Sequence, residues 1–197
     1  MRNLLVILLA ISLITFSSCN KKKSNTVTPA YNVSKLHFKG IVDGIHQLIE
    51  NGKNDVISTA TRTGVKKNEE NDYYLTETSR FYSTTGGKSI SINFHKYFAN
   101  NDGSNAAFEY EAKYYNFAKP VLNENGVEVE WVDETGKLWS SALGAADQTG
   151  YTFLLSSISE TEDERIINCT FSCKLYDGLG NEVKLTDGIF KNTVYFE

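Results

Sequence analysis

The chain reads as an all-β fold, an antiparallel β-sandwich or flattened barrel of about ten strands, and three observations point that way. Tyrosine and phenylalanine are each present eleven times while proline occurs twice, a composition that suits a pleated, half-buried surface. In the stretch from Ser89 to Phe94, Ile90, Ile92 and Phe94 alternate with Ser89, Ser91 and Asn93, the period-two pattern of a strand with one apolar face. Turn signals recur along the chain, at Asp43-Gly44, Gly86-Gly87, Asp133 to Gly136 and Asp177 to Asn181, where tight turns need residues that tolerate positive φ.

The elements follow in order. Leu36 to Phe38 and Ile45 to Ile49 predict strands around the turn at Val42-Asp43-Gly44, and Asp55 to Thr63 predicts a third. Gly64 to Asp72, with Lys66, Lys67, Glu69 and Glu70, reads as a polar loop. Tyr73 to Thr84 and Lys88 to Tyr97 form a hairpin across Gly86-Gly87. Between residues 104 and 117 the pattern changes: Ala106, Ala107, Tyr110, Tyr114 and Phe117 recur at three- and four-residue steps. One short helix fits there, and so does a strand with Phe108 and Tyr110 on one face. Val127, Val129 and Trp131 then alternate with Glu128 and Glu130, before a turn toward Leu138-Trp139. Gly150 to Ser159 and Arg165 to Tyr176 make a hairpin with an acidic tip, Glu160 to Glu164. Val183 to Leu185 and Ile189 to Phe196 close the chain, with Asp187-Gly188 expected as the last turn.

The N-terminus carries an address. Met1 and Arg2 precede an apolar run from Leu4 to Phe16, shorter than the roughly 17 to 25 residues of a membrane-spanning helix and followed by the small residues that signal cleavage requires. Residues 1–18 therefore read as a signal peptide. Phe16-Ser17-Ser18-Cys19 resembles a bacterial lipobox, which implies that Cys19 is the lipid attachment residue and the new N-terminus. Residues 19–33, with Lys21 to Lys23 and Pro29, are too polar to fold and read as a tether, leaving 34–197 as a single β-domain. Two or more acyl chains give stable membrane anchoring where one does not. The expected location is the outer membrane, on its periplasmic side or at the surface.

The β-domain holds sixteen of the basic residues and all 24 acidic ones, a formal charge of -8. Such a surface excludes nucleic acid as a partner, because phosphate-backbone binding depends on basic residues.

From Val127 to Phe190, the segments GVEVEWVDETGKLWSS, YTFLLSSI and NCTFSCKLYDGLGNEVKLTDGIF resemble a class of small lipoproteins of Gram-negative bacteria catalogued as domains of unknown function. In them a strand of the Gly-Thr-Phe-Ser kind precedes a turn, and a Thr-(Asp or Asn)-Gly-x-Phe segment closes the fold. This chain has Cys169 where glycine is frequent and matches the closing segment at Thr186 to Phe190. The resemblance implies an all-β lipoprotein and brings no reaction with it. Read from the residues alone, Cys169, Phe171, Cys173 and Leu175 share one strand face. Two strand cysteines four apart lie about 13 Å from each other, beyond disulfide reach, so they are expected as buried, unpaired thiols.

No metal and no cofactor is expected, since His37, His46 and His95 follow no ligand spacing. No serine sits in a nucleophile elbow. Glu128 and Glu130 lie about 7 Å apart on one strand face, a spacing a glycosidase pair could use, but they are expected as a solvated face. Asn100 to Ser104 and the Glu160 to Glu164 tip lack EF-hand spacing and read as loop tips. The expectation is a non-catalytic, lipid-anchored envelope protein acting as a binding or structural module, with the membrane and a glycan or envelope protein as partners. A glycan-binding accessory lipoprotein is the alternative, with Trp131, Trp139, Tyr114 and Tyr115 as its candidate aromatic residues, and an envelope hydrolase the more distant one.

Overall fold

The computed structural model describes residues 35–66, 72–99, 107–118 and 124–195. Cys19, the signal and tether segments and the Asn100 to Ser104 loop lie outside the described residues. All regular structure among them is strand. In chain order the strands are β1 (His37–Val42), β2 (Ile45–Glu50), β3 (Val56–Lys66), β4 (Tyr73–Ser83), β5 (Ser89–Phe98) and β6 (Tyr114–Tyr115). They continue with β7 (Gly126–Val132), β8 (Leu138–Ser140), β9 (Thr152–Glu160), β10 (Arg165–Tyr176) and β11 (Glu182–Val194). The all-β expectation holds, and the strands form one antiparallel sheet curled into a half-barrel.

The strand order is β2-β1-β11-β10-β8-β7-β5-β4-β3, with β9 paired to β10 and β6 to β9. Along one edge, β10 pairs with β9 from Arg165 to Ser172 and with β8 at Tyr176. Twist concentrates at irregularities. The register shifts on both sides of β11, between Phe171 and Cys173 of β10 and between Lys39 and Ile41 of β1. These shifts place a β-bulge at Asp187, which bends a strand and increases its twist.

That bulge corrects one expectation. Asp187-Gly188 is not a closing turn: it lies inside the single thirteen-residue strand β11. The positive φ, 52°, belongs to Asp187. Gly188 is needed for space instead, since an added Cβ would stand 2.9 Å from the Phe171 carbonyl oxygen and 2.9 Å from Leu185 Cδ2. A second correction falls at residues 64–66, which extend β3 rather than opening the polar loop; Gly64 leaves room for the Tyr73 hydroxyl, which occupies the place of its missing Cβ. The third is the helix. Over the described residues 107–117 the backbone is extended or irregular, with the short strand β6 and a parallel bridge from Phe117 to Val127. Here tertiary contacts override the three- and four-residue spacing: Phe108, Tyr110 and Tyr115 all turn onto Phe94, with ring centroids 5.4, 5.1 and 5.7 Å away.

The core lines the concave side. Ile90, Ile92 and Phe94 of β5, Val127 and Val129 of β7, Phe153 and Leu155 of β9 and Leu185 and Phe190 of β11 are fully buried. Cys169, Phe171, Cys173 and Leu175 are buried on the same face of β10, as the alternation predicts, and both thiols are free. Burial pushes each thiol well above the usual cysteine range. Across the opening of the half-barrel, β11 meets β3 and β4 through side chains rather than a ladder. Asn192 Nδ2 donates to the Arg80 carbonyl at 3.2 Å and Ser79 Oγ to the Thr193 carbonyl at 2.5 Å, while Ser58 Oγ donates to Asn192 Oδ1 at 2.5 Å.

Candidate functional site

The inward positions of β3 and β4 break the core pattern. Cross-strand pairing puts Ser58, Ala60, Arg62 and Gly64 on the same face as Leu75, Glu77, Ser79 and Phe81, and that face continues into Ile90, Ile92 and Phe94. A charged pair thus stands where β5 supplies isoleucine and phenylalanine. Glu77 is 1% exposed. Arg62 approaches its Oε1 through Nε at 2.8 Å and Nη2 at 2.7 Å, and Tyr110 donates to Oε2 at 2.5 Å. Burial, then the Glu77 charge, pushes the Tyr110 hydroxyl well above the ordinary tyrosine range, so it remains a neutral donor. Burying a carboxylate is tolerated only with such pairing.

Beneath this group opens the mouth of the half-barrel, a cavity of about 410 Å³. Its polar walls are Arg62, Arg165, Glu109 and Glu160, and its apolar walls include Phe108, Tyr110, Ile158 and Tyr195. The Arg62 guanidinium lies 4.3 Å from the centroid of the Tyr195 ring, in cation–π range. Arg165 Nε donates to Glu160 Oε2 at 2.9 Å. Barrel mouths are a preferred place for small-molecule sites, and the volume falls inside the usual range of about 300–1,000 Å³. Chemically the mouth can stack a ring and exchange hydrogen bonds with a polar ligand through two guanidinium–carboxylate pairs.

The residues singled out by sequence do not meet in one place. Trp131 is 3% exposed and belongs to the core beside Phe38, ring centroids 6.1 Å apart. Trp139, half-buried, lines a separate groove of about 300 Å³ with Trp131, Ile45, Val42 and Asp133. Tyr115 is half-buried against Phe94 and Phe153. Tyr114 is 69% exposed, and it lines with Tyr115 a depression next to the mouth that shares Phe108 and Glu109 with it.

In the tryptophan groove, Asp133 is the organiser. Its Oδ1 accepts from Thr135 N at 2.9 Å and Lys137 N at 3.1 Å, and its Oδ2 accepts from the Trp139 indole N–H at 3.0 Å. Lys137 Nζ rests 4.0 Å from the centroid of that ring, which already occupies one face of it. Hydrogen bonds from Thr135 and Trp139 hold the Asp133 carboxyl down at about 2. A carboxyl lowered on folding stabilises above its unfolded value and loses that contribution as pH falls through the folded one. Tryptophan fluorescence is therefore expected to stay flat from neutral pH to about 4 and to change only near pH 2, whereas Asp133→Ala is expected to shift the emission already at pH 7.

The outer face of β5 and β7 carries a second polar group, and it corrects the expectation of a solvated Glu128. Glu128 is 9% and His95 3% exposed. The carboxylate accepts from Ser140 Oγ at 2.5 Å and from Asn93 Nδ2 at 3.4 Å, and it lies 3.3 Å from His95 Nε2. Burial pushes Glu128 up, but the bonds from His95 and Ser140 outweigh it and hold the carboxyl below its usual range. Glu130 moves the other way, raised by burial and by the Glu128 charge. Thr76 Oγ1 sits 3.1 Å from His95 Nδ1, so a hydroxyl, an imidazole and a carboxylate stand in line. The line lies across ladders between central strands, which occupy backbone N–H groups that an oxyanion would need, and Ser140 donates to the carboxylate rather than to a base. The group satisfies buried polar atoms.

Fold and cavity together define a curled, all-β half-barrel with a polar, aromatic-walled mouth. No family model matches the chain, and no curated protein or solved structure matches it.

Proposed function

We propose that the chain is a lipid-anchored cell-envelope protein whose β-domain is a non-catalytic binding module, with its ligand taken at the mouth of the half-barrel. The observation that carries this is the buried Arg62–Glu77–Tyr110 group, charge placed at core positions directly above an open cavity. Local rules are broken at functional sites and the fold compensates for them elsewhere. The lipobox-like Phe16 to Cys19 supports an anchor at Cys19 and a place at the outer membrane, and the likeness of Val127 to Phe190 to small envelope lipoproteins supports the same setting.

A glycan-binding accessory role is the second reading. It is favoured by the pairing of each mouth arginine with a carboxylate, which together with Glu109 leaves no excess positive charge to attract an anion, and by the rings of Phe108, Tyr110 and Tyr195. Hydrolysis finds less support, because Glu77 and Glu160 are both engaged by arginine.

The test uses the full chain. In detergent phase partition the native chain is expected in the detergent phase and Cys19→Ser in the aqueous phase; equal partition would remove the anchor. On an envelope-glycan array, Tyr195→Ala and Arg165→Ala are expected to lose binding by about tenfold or more, the scale of one lost stacking or charged hydrogen-bond contact. Trp139→Ala is expected to leave it unchanged, and the reverse pattern would move the site to the tryptophan groove.

A further inference from the structure

Strand β3 ends the sheet. It pairs with β4 through every residue from Val56 to Lys66 without a register shift, and no strand among the described residues forms a ladder with its other edge. Edge strands are templates for further pairing, and proteins blunt them with proline, bulges, lysines or shortness. This edge is long and regular, and between Val56 and Val65 it has neither proline nor bulge; its one charged residue there, Arg62, faces inward onto Glu77.

Which backbone groups face the edge follows from one bond. Ser58 N–H points away from β4, because it donates to Asn51 Oδ1 at 2.9 Å. Alternate residues share that direction, so the N–H and C=O of Ala60 and Gly64 also face outward.

The side chains show a symmetry. On the outer face β3 presents Ile57, Thr59, Thr61, Thr63 and Val65, with Ile57 37% and Val65 52% exposed. Centred on Thr61, the series reads alike in both directions: Thr59 corresponds to Thr63, and Ile57 to Val65.

We propose that β3 is a homodimerisation edge, taking β3 of a second copy in antiparallel register about a two-fold axis at Thr61. In that register Gly64 N–H reaches the Ser58 carbonyl of the other copy while Asn51 yields Ser58 N–H to the Gly64 carbonyl, Ala60 and Arg62 exchange backbone bonds in the same ladder, and Thr61 meets Thr61 as a non-hydrogen-bonded pair. Ile57 packs on Val65 of the other copy, and threonines pair with threonines, cross-strand contacts that stabilise sheets. No like charges meet on the outer face. A second copy is the occupant that the symmetry selects, since an unrelated strand has no reason to match a series that reads the same both ways. Two-fold pairing also closes, whereas edge pairing between unlike strands propagates. The contact line from Ile57 to Val65 is about 30 Å long, so the interface falls below the roughly 1,200–2,000 Å² of stable complexes and the dimer is a reversible one.

Disulfide trapping on the full chain tests this. Thr61→Cys places two thiols across the axis with Cα atoms about 4.5 Å apart, within disulfide reach, and mild oxidation is expected to give a covalent dimer. Thr59→Cys and Thr63→Cys put identical residues about 13 Å apart and are expected to give on the order of tenfold less, near the wild-type background. Thr61→Lys, an exposed change that leaves the monomer folded, is expected to abolish concentration-dependent sedimentation. Equal trapping at all three positions, none at Thr61, or unchanged sedimentation of Thr61→Lys would overturn the proposal.

Discussion

Replacing Arg62 by alanine is expected to destabilise the domain by about 3–5 kcal/mol, the scale seen when one partner of a buried pair is removed and the other charge is left behind. Glu77, 1% exposed, would keep the Tyr110 hydroxyl as a neutral donor but lose the opposite charge that pairs it. The measurement is the urea midpoint of Arg62→Ala against wild type. The informative comparison is the triple change Arg62→Met, Glu77→Leu and Tyr110→Phe, which removes all three polar groups together. Replacing a buried ion pair with apolar residues of similar volume is often neutral or stabilising by about 1–4 kcal/mol. That variant is therefore expected to be at least as stable as wild type while losing ligand at the mouth. A triple variant as unstable as Arg62→Ala would show that the group holds the fold rather than the ligand. The raised Tyr110 hydroxyl adds a pH dependence: its contribution is intact below pH 10 and lost as pH rises above it, where the unfolded chain ionises and the folded one does not.

Phe94→Ala is expected to cost about 3–5 kcal/mol, the range for emptying a buried phenylalanine site. Phe94 is fully buried and is the ring that joins the core to the mouth, meeting Phe108, Tyr110, Tyr115 and Phe153 edge-on or nearly so. Its loss should be felt unevenly. The segment 107–118, which has little ladder of its own, relies on these ring contacts, so hydrogen exchange there is expected to quicken more than in β10 or β11. Uniform acceleration across the sheet would mean that the segment is held by something other than Phe94.

The strands were legible because local pattern and burial agree in them. In β5, β7 and β10 one face is apolar at every second position, and that face is buried in each; in β5 and β7 tertiary packing covers much of the polar face as well. β3 and β4 gave no such signal: in Ser58, Ala60, Arg62 and Gly64 the inward face is as small and polar as the outward one, so nothing local says which face turns in. Glu77, set between Leu75 and Phe81 at two-residue steps, was the available hint of a polar residue on a core face. Trp131, among the aromatic candidates, shows the complementary case. Trp131 sits on a face whose neighbours are Val127 and Val129, and a ring in that position packs inward before it can serve a ligand.

Strand grammar, buried thiols on one face of β10 and the acidic charge of the domain all follow from composition and a two-residue period, because a strand's alternation is a local property of the backbone. Where β11 bends, why Glu128 is shielded, how residues 107–118 run and which of two polar faces encloses the cavity depend on partners dozens of residues away. These are matters of packing, decided when the sheet curls and each side chain takes the neighbours that the register assigns to it.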